Sequence, residues 1–277
     1  LNDKDSYVRS GAVLALGSVG EKAATDEAIK ALAKLLDDNE IWVRSSAVYA
    51  LGRLGEKAAT DEVIKALTKL FNDKEISVRS SAAEALGRIG EKAATNEVIK
   101  ALTKLLNDKE LSVRFNAAEA LGRIGEKATT NEVIKALTKL LKDKESEVRH
   151  SATVAFVYIA ISIEDKAQAN QLSLSKFNKY ISQLEKALEI IENPENNSSE
   201  NEAAFLRRSL LVIKDKRKAL FWNSLLKNPF IVLPTAYLSF LPSLWFLLLR
   251  LKPISLIQIN EILKPYEFCF PKELGSV

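Results

Sequence analysis

"DKEISVRSSAAEALGRIGEKAATNEVIKALTKLLN", Asp73–Asn107, is one period of a sequence that repeats itself almost verbatim. The pair Val-Arg returns at Val8-Arg9, Val43-Arg44, Val78-Arg79, Val113-Arg114 and Val148-Arg149, each 35 residues after the last. A fixed period of this length marks a repeat architecture, in which no unit buries its apolar surface without its neighbours. Two helical patterns lie inside the unit. Val78, Ala82, Leu86 and Ile89 fall at i, i+4, i+8 and i+11, one stripe of an α-helix. Asp73, just upstream, is expected to cap that helix, and Gly87 and Gly90 to end it. Thr95 is the expected N-cap of a second helix, with Glu97 in its first turn favouring the dipole. That helix offers Val98, Ile99, Leu102, Leu105 and Leu106 for burial. Helices of about four turns are too short to be stable alone, so the pairs must stack into a solenoid.

The pattern D-x-x-x-x-V-R-x-x-A-A-x-A-L-G-x-I-G resembles the HEAT repeat, in the form found in phycobilisome-lyase-like HEAT proteins. It covers residues 3–142 in four copies, with a fifth first helix at 143–161. The resemblance implies an all-α fold, a right-handed α-α superhelix of the HEAT/armadillo type. Two departures stand out. The link "EKAATNE" is longer than that subfamily usually has, and in the fifth copy Val157 and Ala160 replace the two glycines, as suits the end of an array. Phe177, Ile181, Leu184, Leu188 and Ile191 mark a closing helix. The expected organisation is an array over 1–192, a polar loop over 193–201 and a basic, hydrophobic helical tail over 202–277. Methionine is absent and the chain opens inside a repeat, which reads as a piece of a longer polypeptide.

Chemistry is scarce. "GRIGEKAAT" fails as a phosphate loop, because Gly90 and Lys92 are not adjacent, no Ser or Thr follows Lys92, and a helix precedes it. His150 is the only histidine and Cys269 the only cysteine, so neither a histidine metal cluster nor an internal disulfide can form. No cofactor or metal is expected, and no catalysis. The net charge of +4 is too small to imply nucleic acid by itself, although residues 203–277 carry eleven basic against four acidic side chains.

Candidate binding residues lie where the copies disagree. Positions 7/42/77/112/147, 10/45/80/115/150 and 14/49/84/119 vary, and their i, i+3, i+7 spacing puts them on one face of the first helix. Trp42, Tyr49, Phe115 and His150 are the candidates there; the aromatics either pack on neighbouring helices or present contact anchors. The second helix repeats the pairs Lys30/Lys34, Lys65/Lys69, Lys100/Lys104 and Lys135/Lys139 in register. These rows are either a solvated face, partly neutralised by Glu27, Glu62, Glu97 and Glu132, or a surface for phosphates or an acidic partner.

"FIVLPTAYLSFLPSLWFLLL", Phe230–Leu249, carries no charge over a length that can cross a bilayer, but Pro234 and Pro242 interrupt it. Trp222, Tyr237 and Trp245 suit a membrane interface. "LWFLLLRLKPISLIQINEILKPY", Leu244–Tyr266, looks like the stretch that follows HEAT arrays in bacterial, notably cyanobacterial, NACHT-type signalling NTPases. That resemblance implies a nucleotide-hydrolysing part outside these residues, with the array sensing or holding a partner. The leading expectation is a non-catalytic protein–protein interaction scaffold, a cytoplasmic module for partner sensing or assembly, with membrane attachment through 230–249 as a separate expectation. The alternatives are an accessory subunit of a phycobilin lyase and nucleic-acid binding through the lysine rows.

Overall fold

In the computed structural model the described residues are 1–168 and 174–193 together with seven positions between 203 and 214. The chain divides into two units, Leu1–Arg217 and Lys218–Val277, and every described residue lies in the first. Trp222, Tyr237, Trp245, the segment 230–249 and the stretch 244–266 lie outside the described residues, as do most of the loop expected over 193–201 and most of the tail expected over 202–277. Ala203, Leu206 and Leu210 of that tail are buried. Lys214 and Arg207 form ion pairs with Glu185 and Glu192 of the closing helix.

The described residues form helices and no strand, in pairs that follow the 35-residue period. First helices are α1 (Ser6–Val19), α3 (Ile41–Leu54), α5 (Ile76–Ile89) and α7 (Leu111–Ile124); second helices are α2 (Asp26–Leu35), α4 (Asp61–Lys69), α6 (Asn96–Leu105) and α8 (Asn131–Leu140). The array is closed by α9 (Ser146–Gln168) and α10 (Leu174–Glu192). Both stripes read in the repeat are the core: Val78, Ala82, Leu86, Ile89, Leu102 and their counterparts in units 2 and 4 are essentially inaccessible to water, whereas Val8 and Val19 of the first unit are exposed. At about 25 cal/mol per Å² of apolar surface, this recurring burial supplies the stability that such short helices lack alone.

The two glycines of each unit do different jobs. Gly90 ends α5 at φ 71°, and Gly20, Gly55 and Gly125 do the same for their helices, in a region that Cβ-bearing residues avoid. Gly87 lies inside α5 instead, where an added Cβ would stand 2.8 Å from the Cα of Ala120 on α7. Gly17, Gly52 and Gly122 meet Ala50, Ala85 and Ala155 in the same way. Adjacent first helices therefore touch backbone to backbone. The fifth unit confirms the division of labour. With Val157 and Ala160 at the glycine positions, α9 runs on to Gln168, past the expected end at Ile161, and its Ser162 hydroxyl accepts the Glu126 N–H at 3.0 Å.

Thr95 is the N-cap of α6, accepting the Val98 N–H, and Thr25, Thr60 and Thr130 repeat the arrangement. Such caps contribute about 1 kcal/mol each. Asp73 departs from expectation. The N-cap of α5 is Glu75, with no side-chain bond to the helix, and Asp73 accepts only the Glu75 N–H from it. Its carboxylate faces Arg44 of the preceding unit, Nε to Oδ2 at 3.0 Å. The same pair forms between Arg9 and Asp38, Arg79 and Asp108, and Arg114 and Asp143. Each arginine also grips its own inter-unit loop; Arg44 Nη1 donates to the carbonyls of Asp38 and Asn39 at 2.9 and 3.0 Å. A ladder of guanidinium and carboxylate groups thus ties every loop to the next.

Two outcomes follow. Gly87→Ala should lower the urea midpoint, because overpacking costs about 1–3 kcal/mol against a helix-propensity gain of about 1. Gly11→Ala, with nothing within 4 Å of the new Cβ, should raise it. The ladder also sets an acid limit. Burial pushes the Asp38 carboxyl up, but the hydrogen bonds from Arg9 and the Glu40 N–H and the charges of Arg9 and Arg44 outweigh it, leaving the pKa below its ordinary value. A lowered folded-state pKa gives stability that is present above the unfolded value, about 3.9, and lost as pH falls below it. Asp38→Asn should therefore lose less stability than the wild type between pH 7 and pH 3 (about those values), measured by urea titration.

Candidate interaction surfaces

The first helices α3, α5 and α7 bury most of their surface, whereas α1 buries only Val13 and Gly17. The column at position 7 and its equivalents points to solvent, with Tyr7 77% and Trp42 41% exposed. Their rings stack across units 1 and 2, centroids 5.8 Å apart and planes 14° from parallel. Tyr49, one column along, is 48% exposed, and Leu14 beside it is likewise exposed. Of the two readings of the aromatics, packing inside the array and presenting an outward surface, the structure supports the second for Trp42 and Tyr49. Units 3 and 4 carry Ser77, Ser112, Glu84 and Glu119 at these places. There the glutamates pair along the helix with Arg88 and Arg123 at 2.8 and 2.6 Å.

The column containing Phe115 and His150 is different. It lies in the seam between neighbouring first helices, where Ser10 meets Ser46 at 2.9 Å and Asn116 donates to the Ser80 hydroxyl at 2.8 Å. Phe115 is half-buried in that seam, whereas His150, on the last first helix, is exposed. Phe115 and His150 therefore do not share the open strip with Trp42. Tyr7 does, and its signal was the same disagreement between copies that marked Trp42. Tyr158 and Ile161 add exposed apolar surface on α9.

On the second helices Lys65, Lys69, Lys100, Lys104, Lys135 and Lys139 are all exposed. The expected neutralisation by the glutamates three residues earlier does not occur among the described ion pairs. Lys69 instead pairs with Asp37 across units at 2.8 Å, and Lys139 donates to the Asn107 amide oxygen at 2.9 Å. The "GEKA" segments are single turns of 3-10 helix at which Lys57, Lys92 and Lys127 reach Glu21, Glu56 and Glu91 of the preceding unit, at 3.9, 3.3 and 3.5 Å. The lysine that tempted a phosphate-loop reading is thus a rung of a second, exposed ladder. Buried Tyr180 on α10 donates to the Phe156 carbonyl at 2.6 Å, and burial pushes its phenol well above the ordinary range. Among the described residues no helix is long and apolar enough to cross a membrane, and no group of three potential metal ligands converges.

A family model described as HEAT repeats matches residues 1–74 and 64–156. No curated protein matches the chain. Among solved structures, an engineered protein superimposes with a TM-score of 0.59 at 24% identity, covering 78% of this chain and 94% of its own. A designed armadillo repeat protein in complex with the peptide (KR)4 gives 0.56 at 24% identity, covering 76% and 95%. The CpcE–CpcF complex of phycocyanin lyase from Nostoc sp. PCC7120 gives 0.46 at 19% identity, covering 79% and 91%.

The two ladders differ in burial and so in consequence. Lys92→Ala, at an exposed pair, should change stability by less than about 1 kcal/mol. Asp108→Ala, which strands the mostly buried Arg79 guanidinium, should cost about 3 kcal/mol or more, the two being compared by urea denaturation.

Proposed function

The chain belongs to the HEAT-repeat family, and from that premise we propose that it is a non-catalytic scaffold that binds another protein, as a partner-sensing or assembly module. The observation that carries this reading is the aromatic strip on the first helices of units 1 and 2. Stacked Tyr7 and Trp42, with Tyr49 and Leu14 beside them, are held outward at positions where other units have serine and glutamate. Large aromatic side chains on a rigid support lose little entropy on binding and dominate interface energetics. The scaffold supplies the rigidity, since the helices beneath are locked by backbone contact. That the fold resembles a designed repeat protein bound to a peptide is consistent with a polypeptide ligand.

Panning a displayed peptide library on the whole chain tests the reading. Recovered binders should weaken by roughly thirtyfold with Trp42→Ala, the loss expected for a hot spot of about 2 kcal/mol. Tyr49→Ala should weaken the same binders. Binders indifferent to both substitutions would remove the aromatic strip as the site.

A further inference from the structure

The lysine rows are not uniform along the array. In residues 26–37 three carboxylates (Asp26, Glu27 and Asp37) stand against two lysines, whereas in 131–142 one carboxylate, Glu132, stands against Lys135, Lys139 and Lys142. The two units between are intermediate: two against two in 61–72, and one against two in 96–107. Formal charge therefore climbs by one at each unit, from −1 to +2. The structure gives the change a location. Asp37 neutralises Lys69 at the first junction. The equivalent residues at the next two are Asn72 and Asn107, and Lys139, bonded to the Asn107 amide, keeps its charge uncompensated. Lys100, Lys104, Lys135 and Lys142 are exposed and take part in none of the ion pairs among the described residues. A groove opens beside this face, where the starts of α6 and α8 meet α9 and α10. Asn96, Glu126, Lys127, Thr130, Lys179 and Gln183 are among the residues that line it.

We propose that the second-helix face of units 3 and 4 binds an extended acidic segment of a partner protein. Packed helices stand about 8–10 Å apart, and an extended chain in the polyproline II form advances about 9 Å in the three residues of one turn, so carboxylates at every third position share one face and meet successive lysine rows. The helix N-termini at the groove add partial positive charge along the same path. A polypeptide fits better than a nucleic acid strand. Single strands are held by aromatic stacking, and among the described residues the exposed aromatics Tyr7, Trp42, Tyr49 and Tyr158 lie on first helices. The site is distinct from the aromatic strip, and rests on the scaffold reading only in taking its ligand to be a protein.

Fluorescence polarisation on the whole chain, at low salt, compares a labelled peptide of about four Glu-Gly-Ser triplets with its Lys-Gly-Ser counterpart, a DNA single strand and a DNA duplex of similar length. The acidic peptide should bind, and the combined change Lys100→Gln, Lys104→Gln, Lys135→Gln and Lys139→Gln should weaken it by roughly tenfold or more. Lys30→Gln with Lys34→Gln should change it less than about twofold, and Trp42→Ala not at all. The proposal is overturned if the acidic peptide binds no better than the basic one, if the unit 1 pair matters as much as the four lysines, or if either DNA binds more tightly. The substituted side chains are exposed, so unchanged circular dichroism separates lost binding from lost fold. An effect of Trp42→Ala on library binders but not on this peptide keeps the two sites apart.

Discussion

Backbone contact between successive first helices is the constraint from which the rest follows. Where Gly87 stands, a single methyl group would press within 2.8 Å of a neighbouring Cα. The opposing position is alanine each time, the smallest side chain that still favours a helix. Interiors packed to crystalline density do not absorb such a methyl without displacement. The spacing of the units is therefore set by two small residues, and the larger aliphatics around them fill the space that spacing leaves. Repetition is the economical solution, because one compatible interface serves every junction.

The polar ladders act on the loops that this contact leaves outside. An arginine that pairs with the next unit's aspartate while holding its own loop's carbonyls joins three segments through one planar group. Bidentate geometry suits guanidinium for that task better than an ammonium. Such a mostly buried pair adds little net stability over an apolar substitute, but breaking one partner is costly, so it specifies register. The exposed Lys–Glu rungs of the "GEKA" turns lie in high dielectric and contribute far less. Two chemically similar ladders thus have unequal weight, and burial decides between them.

A scaffold fixed so tightly leaves few positions free to carry function. First-helix residues facing the next unit are taken by seam hydrogen bonds, and those facing the core by packing. What remains is an outward strip, aromatic in the first two units and ion-paired in the next two, and a lysine face whose carboxylates thin out along the array. Much of this was legible beforehand: disagreement between copies found Trp42 and Tyr49, and register found the lysines. Phe115 shares the variable face on a helical wheel yet is half-buried, because a wheel assigns a face but not the neighbour that covers it. Asp73 was read as a local cap for a similar reason, since its true partner lies 29 residues upstream and only stacking brings the two together.

The sequence by itself determined the period, the helix pairs, the apolar stripes, the threonine caps and the positive-φ glycines, because each depends on local geometry or on spacing along one helix. The seam, the ladders and the exposure of each variable side chain were decided only in three dimensions. Those properties belong to pairs of units: a glycine reads as a helix terminator or as a contact point only once the facing alanine is in place, and an aromatic is an anchor only if no neighbour has buried it.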